Sequence, residues 1–257
     1  MELLNCKIEN LPVRVFETRE EMGKAAAKDA AERIKNIIAK NGVANVVFAA
    51  APSQNELIEE LLGCGIDWSK VRGFHQDEYI GIGEEEPAGF GNFLRRAIFD
   101  RVEFKELHYL LCKPEEAQDK CGEYAELFRK YPADLIFLGV GENGHLAFND
   151  PPVADFEDPK AIKIVALDDA CRRQQVNDGC FERFEDVPAQ AMSLTMSFIR
   201  SVPEAICVVP SVRKAEAVAR ALRGEISTAC PASILRRLGN AALYLDRDSA
   251  SLAFAGI

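Results

Sequence analysis

Residues 134–152 read Asp-Leu-Ile-Phe-Leu-Gly-Val-Gly-Glu-Asn-Gly-His-Leu-Ala-Phe-Asn-Asp-Pro-Pro. The apolar run over 134–140 suits a parallel strand buried on both faces. Gly139, Gly141 and Gly144 then spell the letters of G-x-G-x-x-G. A dinucleotide fingerprint needs a helix opening at its third glycine. Here Asn149-Asp150-Pro151-Pro152 follows almost at once and leaves no room for a long helix. We therefore reject the nucleotide reading and expect no redox cofactor. Gly141 and Gly144 instead let the backbone approach a ligand closely.

Outward from this stretch the chain alternates strand and helix. Upstream, 12–16 reads as a short strand, and Thr18 with Glu21 has the spacing of a capping box opening a helix to about residue 40. A buried strand follows at 43–51, a helix at 54–63, a strand at 71–79, a helix at 90–101, a strand at 107–111 and a helix at 114–130. Downstream, strands are expected at 161–167, 190–196, 205–210 and 241–246, with helices at 212–223 and 231–237. Strands separated by helical segments imply right-handed crossovers and an α/β fold, a mainly parallel, Rossmann-like sheet flanked by helices. No repeat, linker or low-complexity tract divides the chain, so residues 1–257 are expected to form one domain. In such sheets ligands bind beyond the carboxyl ends of the strands, which directs attention to residues just after strands.

Composition removes several functional classes. The net charge is −10, from 31 basic and 41 acidic residues, which disfavours nucleic acid and anionic lipid as partners. The eight cysteines include no C-x-x-C pair and the three histidines are scattered. This pattern implies free thiols in a reducing compartment and no metal site. The opening Met-Glu-Leu-Leu-Asn-Cys-Lys-Ile-Glu-Asn-Leu carries acids and no long apolar core. Nor does any stretch approach the ~20 apolar residues of a membrane span. A cytoplasmic protein is expected.

Two segments could carry chemistry. Phe74-His75-Gln76-Asp77-Glu78-Tyr79 ends an apolar strand with two adjacent carboxylates. Neighbouring strand residues point to opposite faces, so only one of Asp77 and Glu78 can meet a given pocket. A solvated acidic strand end is the plainer alternative. In the second segment, His145 sits in the glycine loop near Asn143 and Asp150. An imidazole there is a candidate proton shuttle that Asp150 could orient. A histidine that only holds the loop together is the alternative.

Asp77-Glu78-Tyr79, followed some way downstream by Gly141-x-x-Gly144-His145-x-x-Phe148-Asn149-Asp150-Pro151, resembles the glucosamine-6-phosphate deaminase/isomerase family. The likeness runs over about residues 40–250. The related 6-phosphogluconolactonases typically carry Asp-Glu-Arg and Asp-Gly-His-Thr-Ala-Ser in the two motifs, and this chain has neither. The resemblance implies a deaminase or ribose-phosphate-isomerase-like fold and conversion of glucosamine 6-phosphate to fructose 6-phosphate and ammonia. It also implies that Asp77 moves a proton between C2 and C1 and that His145 opens the sugar ring, positioned by Asn143 and Asp150. Ser53, Gln54, Glu78, Gly141, Gly144, Arg172 and Lys214 become the expected substrate contacts. Among these, Arg172 (from Asp168-x-x-x-Arg172) and Lys214 (from Ser211-Val-Arg-Lys214) would hold the phosphate. Two cations beside a helix N-terminus would give a local anion site on an acidic protein. A homo-oligomer is left open.

Three positions depart from the family pattern. The first phosphate loop, Ala50-Ala51-Pro52-Ser53-Gln54-Asn55-Glu56, has no glycine, and Glu56 adds negative charge. Asn143 stands where some members have aspartate. Asp150 stands where glutamate is usual, which shortens its reach by ~1.5 Å. A deaminase of another amino-sugar phosphate, a lactonase-like hydrolase and a non-catalytic sugar-phosphate sensor remain as alternatives.

Overall fold

The computed structural model describes residues 1–83, 85–254 and 256. Thr18 accepts a hydrogen bond from the Glu21 amide (3.3 Å), which starts α1 (Arg19–Asn41), and Gly42 ends it at φ +79°. An N-cap hydroxyl and a left-handed glycine are the usual signals for those two ends. Before α1 lie β1 (Glu2–Ile8) and β2 (Leu11–Phe16). After it come β3 (Ala44–Phe48), α2 (Asn55–Leu62), β4 (Val71–His75), β5 (Asp77–Tyr79), α3 (Phe90–Leu94), β6 (Glu106–Leu107), α4 (Ala117–Lys130) and β7 (Leu135–Leu138). The second half holds β8 (Ile162–Ala166), α5 (Asp169–Asn177), β9 (Gln190–Leu194), α6 (Met196–Ser201), β10 (Glu204–Val209), α7 (Ala215–Arg223), β11 (Ala241–Asp246) and α8 (Arg247–Ala250).

Eight strands form the main sheet in the order β1-β2-β11-β10-β7-β3-β4-β6. All pairings are parallel except β1 with β2. Alternate residues of each inner strand feed two cores. Val47, Ile136 and Leu138 face one side, whereas Val46, Leu135 and Phe137 pack on the other with Met22, Ala26, Ala30 and Ile34 of α1. A sheet covered on both faces needs apolar residues at both phases of the period-two pattern. That is why these strands are unbroken apolar runs.

The remaining strands form a separate antiparallel sheet, β5-β9-β8. The sequence pattern merged β4 and β5 into one strand over 71–79 and assigned 161–167 and 190–196 to the parallel sheet. The break falls at Gln76. The His75 ring bonds the Asp77 carbonyl through Nδ1 (2.9 Å), and its Nε2 accepts the Leu110 amide (2.9 Å). The Gln76 carbonyl accepts the Leu194 amide (2.9 Å). The chain therefore leaves one sheet and enters the other within a single residue. Further differences are smaller. Residues 231–237 form a 3-10 helix, the helix from 90 widens into a π turn at Arg95–Phe99, and the sequence pattern does not announce β1, α5 and α6.

From β3 the chain proceeds to β4 and β6 on one side, whereas β7, β10 and β11 are added on the other. The strand order thus reverses between β3 and β7. Open α/β sheets bind ligands in the crevice beyond the carboxyl ends of the strands at such a point.

Candidate active site

A cavity of about 300 Å³ lies at that reversal, lined by Ala49–Ser53 after β3 and by Gly139–Gly141 after β7. The antiparallel sheet delivers Asp77 to it from β5. Asp77, His145, Ser53, Gly141 and Lys214, expected from sequence, all line this one cavity.

Asp77 is 6% exposed. Burial, aided by the neighbouring charge of Glu78, holds its carboxyl well above the ordinary aspartate range. Such a carboxylate is a stronger base once ionised. Glu78 points elsewhere. Its carboxylate accepts the amides of Tyr79 (3.0 Å), Phe90 (3.0 Å) and Gly91 (2.8 Å), which caps α3 and ties down the loop before it. Glu78 therefore does not line the cavity, contrary to its expected role as a substrate contact. The alternation along a strand explains the split between these neighbours.

His145 is held from three directions. Its Nδ1 lies 2.9 Å from Asp150 Oδ1. Its amide donates to Asn143 Oδ1 (3.0 Å), and Asn143 Nδ2 donates to Asp150 Oδ1 (2.8 Å). Asn143 thus bridges histidine and carboxylate, a task an aspartate could not perform because it has no N–H. A Cβ on Gly141 would stand 2.2 Å from the imidazole, so only glycine admits the ring. Gly144 has φ +92°, and a Cβ there would stand 2.8 Å from Cys230 Sγ. Ala147 takes φ +50°, a non-glycine residue in the left-handed region. Asn149 and Phe148 fasten this turn to β9 through the Leu194 carbonyl (2.8 Å) and Ser193 Oγ (3.0 Å). Asp150 is fully buried, and burial alone would raise its pKa, but the His145 and Asn143 contacts outweigh that and lower it. Asn143, Gly144 and Asp150 act from behind the histidine and do not line the cavity.

At the other end, Lys214 is 7% exposed, and no side-chain partner meets its ammonium among the described residues. Desolvation lowers its pKa, partly offset by Asp178 and Glu142. It follows Ser211, at φ +88°, whose amide is gripped by both Asp246 carboxylate oxygens (3.1 and 3.0 Å). Arg172, expected at the phosphate, lies elsewhere. Its guanidinium lies over Phe184 at 4.1 Å and donates to the carbonyls of Val187 (2.8 Å) and Phe184 (3.1 Å), away from the cavity. Gln54 also turns away. Its amide donates to Ser53 Oγ (3.1 Å) and to the Leu138 carbonyl (3.3 Å), which fixes the Ser53 turn against β7.

The cavity also takes Arg19, Arg213 and Gln175, which sequence reasoning had passed over. Gln175 is 7% exposed and has no side-chain hydrogen bond of its own among the described residues. The signal for Arg19 was available, since it stands three residues after the end of β2, at the sheet edge where ligands bind. Phe90 and Phe148 stack (5.4 Å, 21°) as an apolar wall of the same space. His145, Asp150 and Cys171 bring three metal-type donor atoms within 4.8 Å of one another. They suit a metal poorly, because burial pushes the Cys171 thiol far up and Asp150 already accepts from Asn143 and faces His145.

Comparison with known proteins agrees with this geometry. The family described as glucosamine-6-phosphate isomerases/6-phosphogluconolactonase matches residues 17–244. A glucosamine-6-phosphate deaminase of Bacillus cytotoxicus is 30% identical over 245 residues, 95% of this chain and 90% of the relative. One from Listeria welshimeri is 29% identical over 228 residues, 89% and 95% of the two chains. Among solved structures, a monomeric glucosamine-6-phosphate deaminase superposes with TM-score 0.84 at 24% identity, over 93% of this chain and 99% of the other. The 6-phosphogluconolactonase of Trypanosoma brucei reaches 0.77 at 15% identity, over 93% and 97%. These two share the fold. With its sheet reversal, its glycine turn and its sequence likeness over most of its length, the chain belongs to the glucosamine-6-phosphate isomerase/6-phosphogluconolactonase family.

Proposed function

We propose that the protein is a glucosamine-6-phosphate deaminase/isomerase that works by acid–base chemistry alone. The observation that carries this reading is the meeting of Asp77, His145 and Lys214 in one cavity. The eight cysteines are free, which fits a reducing cytoplasm. No helix among the described residues is long and apolar enough to cross a membrane.

His145, with Nδ1 turned to Asp150, keeps Nε2 for substrate. It relays the proton of the C1 hydroxyl to the ring oxygen and so opens the pyranose. Asp77 then removes the C2 proton as O1 is protonated, giving an enolamine. Return of a proton at C1 forms the ketimine, and water displaces the nitrogen as ammonia, leaving fructose 6-phosphate. Each positioned acid or base supplies about 10²–10⁴-fold. Lys214 holds the 6-phosphate: its largely buried ammonium feels the charges of Asp178 and Glu142 but bonds no side chain among the described residues, which leaves its donors for an anion.

The test is incubation with glucosamine 6-phosphate, galactosamine 6-phosphate, unphosphorylated glucosamine and 6-phosphogluconolactone, scoring ammonia, ketose and acid. Ammonia with ketose from glucosamine 6-phosphate is expected. Lactone hydrolysis without ammonia from either amino sugar would overturn the reading.

A further inference from the structure

Loss of Arg172 from the cavity leaves Lys214 as the one expected cation facing a phosphate of nearly two negative charges. The Ser53 turn compounds the problem. Pro52 has no amide hydrogen, and no glycine lets the backbone wrap an anion.

Arg19 stands beside that turn. Its Nη2 donates to the Pro52 carbonyl, and its Nε lies 2.6 Å from Glu56 Oε1. Both partners belong to the segment that carries Ser53, so the guanidinium is attached to the turn itself. Glu56, which in sequence only added negative charge to a phosphate loop, is the group that aims the arginine. The approach of the two helices is set one turn further along α1. A Cβ on Gly23 would stand 2.5 Å from the Glu56 Cβ, so only glycine allows α2 this close. The arginine side chain remains 33% exposed and lines the cavity with Ser53. A guanidinium has five donors in a planar fork. One Nη2 hydrogen goes to the Pro52 carbonyl, the Nε side packs against Glu56, and Nη1 has no protein partner among the described residues.

We propose that Arg19 is the second phosphate ligand of this cavity, beside Lys214 in its lining, with Glu56 as its positioning residue. The proposal rests on the reading that the site takes a phosphorylated sugar. Arg19 stands in for the amides the Ser53 turn lacks and for the cation that Arg172 does not supply.

The experiment measures kcat and KM for glucosamine 6-phosphate, and the Kd of inorganic phosphate by calorimetry, on wild type, Arg19→Ala, Arg19→Lys and Glu56→Gln. Charge-assisted hydrogen bonds of this kind predict that Arg19→Ala raises both KM and the phosphate Kd by about 10–100-fold. Arg19→Lys keeps the charge without the fork and recovers part of the loss. Glu56→Gln leaves the arginine present but loosely aimed and costs about 3–10-fold in KM, with kcat little changed. A merely structural ion pair would instead lower Tm and leave the phosphate Kd unmoved. Equal phosphate Kd in wild type and Arg19→Ala, or no phosphate binding by wild type, overturns the proposal. Absence of turnover alongside an intact difference in phosphate Kd would count against the deaminase reading and leave Arg19 as the anion ligand.

Discussion

The two ends of the cavity are built differently. At the proposed proton-transfer end, His145, Asn143, Asp150 and Gly141 come from a single stretch of ten residues, tied by hydrogen bonds of 2.8 and 3.0 Å and by the 2.9 Å approach of His145 to Asp150. At the proposed anion end, Arg19, Ser53 and Lys214 come from the starts of three different helical segments, and Lys214 has no side-chain partner among the described residues. A preorganised acid–base end is what a rate depends on, because dipoles fixed before reaction need not be reordered during it. An end held by separate elements can exchange its ligands without disturbing the chemistry. The proposed use of Arg19 in place of Arg172 would be such an exchange.

This contrast predicts a division of mutational effects. Changes at the first end should fall on kcat, and changes at the second on KM. The largest expected effect is at Asp77. Asp77→Asn should lower kcat by about 10²–10⁴-fold with KM largely kept. The same variant should raise Tm at neutral pH. A folded-state pKa above the unfolded one means that stability falls as pH rises through that interval, and asparagine removes that penalty. For the same reason the acid limb of the wild-type kcat profile should lie above the ordinary carboxylate range, activity rising as Asp77 loses its proton. A limb near pH 4 would count against the assignment.

Next in size is His145→Gln, expected to slow the closed-ring substrate by about 10²-fold while sparing the open-chain form. Equal losses on both would remove the ring-opening role. Gly141→Ala tests the same end without touching a titratable group. Its new methyl must displace the imidazole, and a misplacement of about 1 Å can cost about 10²-fold in kcat. Smallest is Lys214→Ala, expected to raise KM for glucosamine 6-phosphate by about 10–100-fold with a modest change in kcat. If its loss fell on kcat instead, the division between the two ends would not hold.

The same contrast decides what could be read from the chain alone. The parallel strands were legible because burial on both faces writes itself as continuous apolar runs, as in 134–140. The glycine turn was legible because its parts are consecutive. Residues 71–79 concealed a change of sheet, since the break depends on the His75 ring bonding the Asp77 carbonyl, a contact that no hydropathy pattern encodes. The small antiparallel sheet escaped notice because β5 continues β4 with no turn signal between them, and β8 and β9 are each followed by a helix, as the parallel strands are. Arg172 was chosen by motif spacing, whereas its position depends on Phe184, which stacks on it from another segment. Arg19 stands at the legible sheet edge just past β2, but its tie to Pro52 and Glu56, more than thirty residues away, leaves no mark in the sequence.

The most direct test follows the C2 hydrogen. With glucosamine 6-phosphate deuterated at C2, wild type should remove the label in step with ammonia release. Asp77→Asn should slow that removal by about 10²–10⁴-fold, and His145→Gln should remove it normally from the open-chain form. Label loss at the wild-type rate in Asp77→Asn would contradict the account.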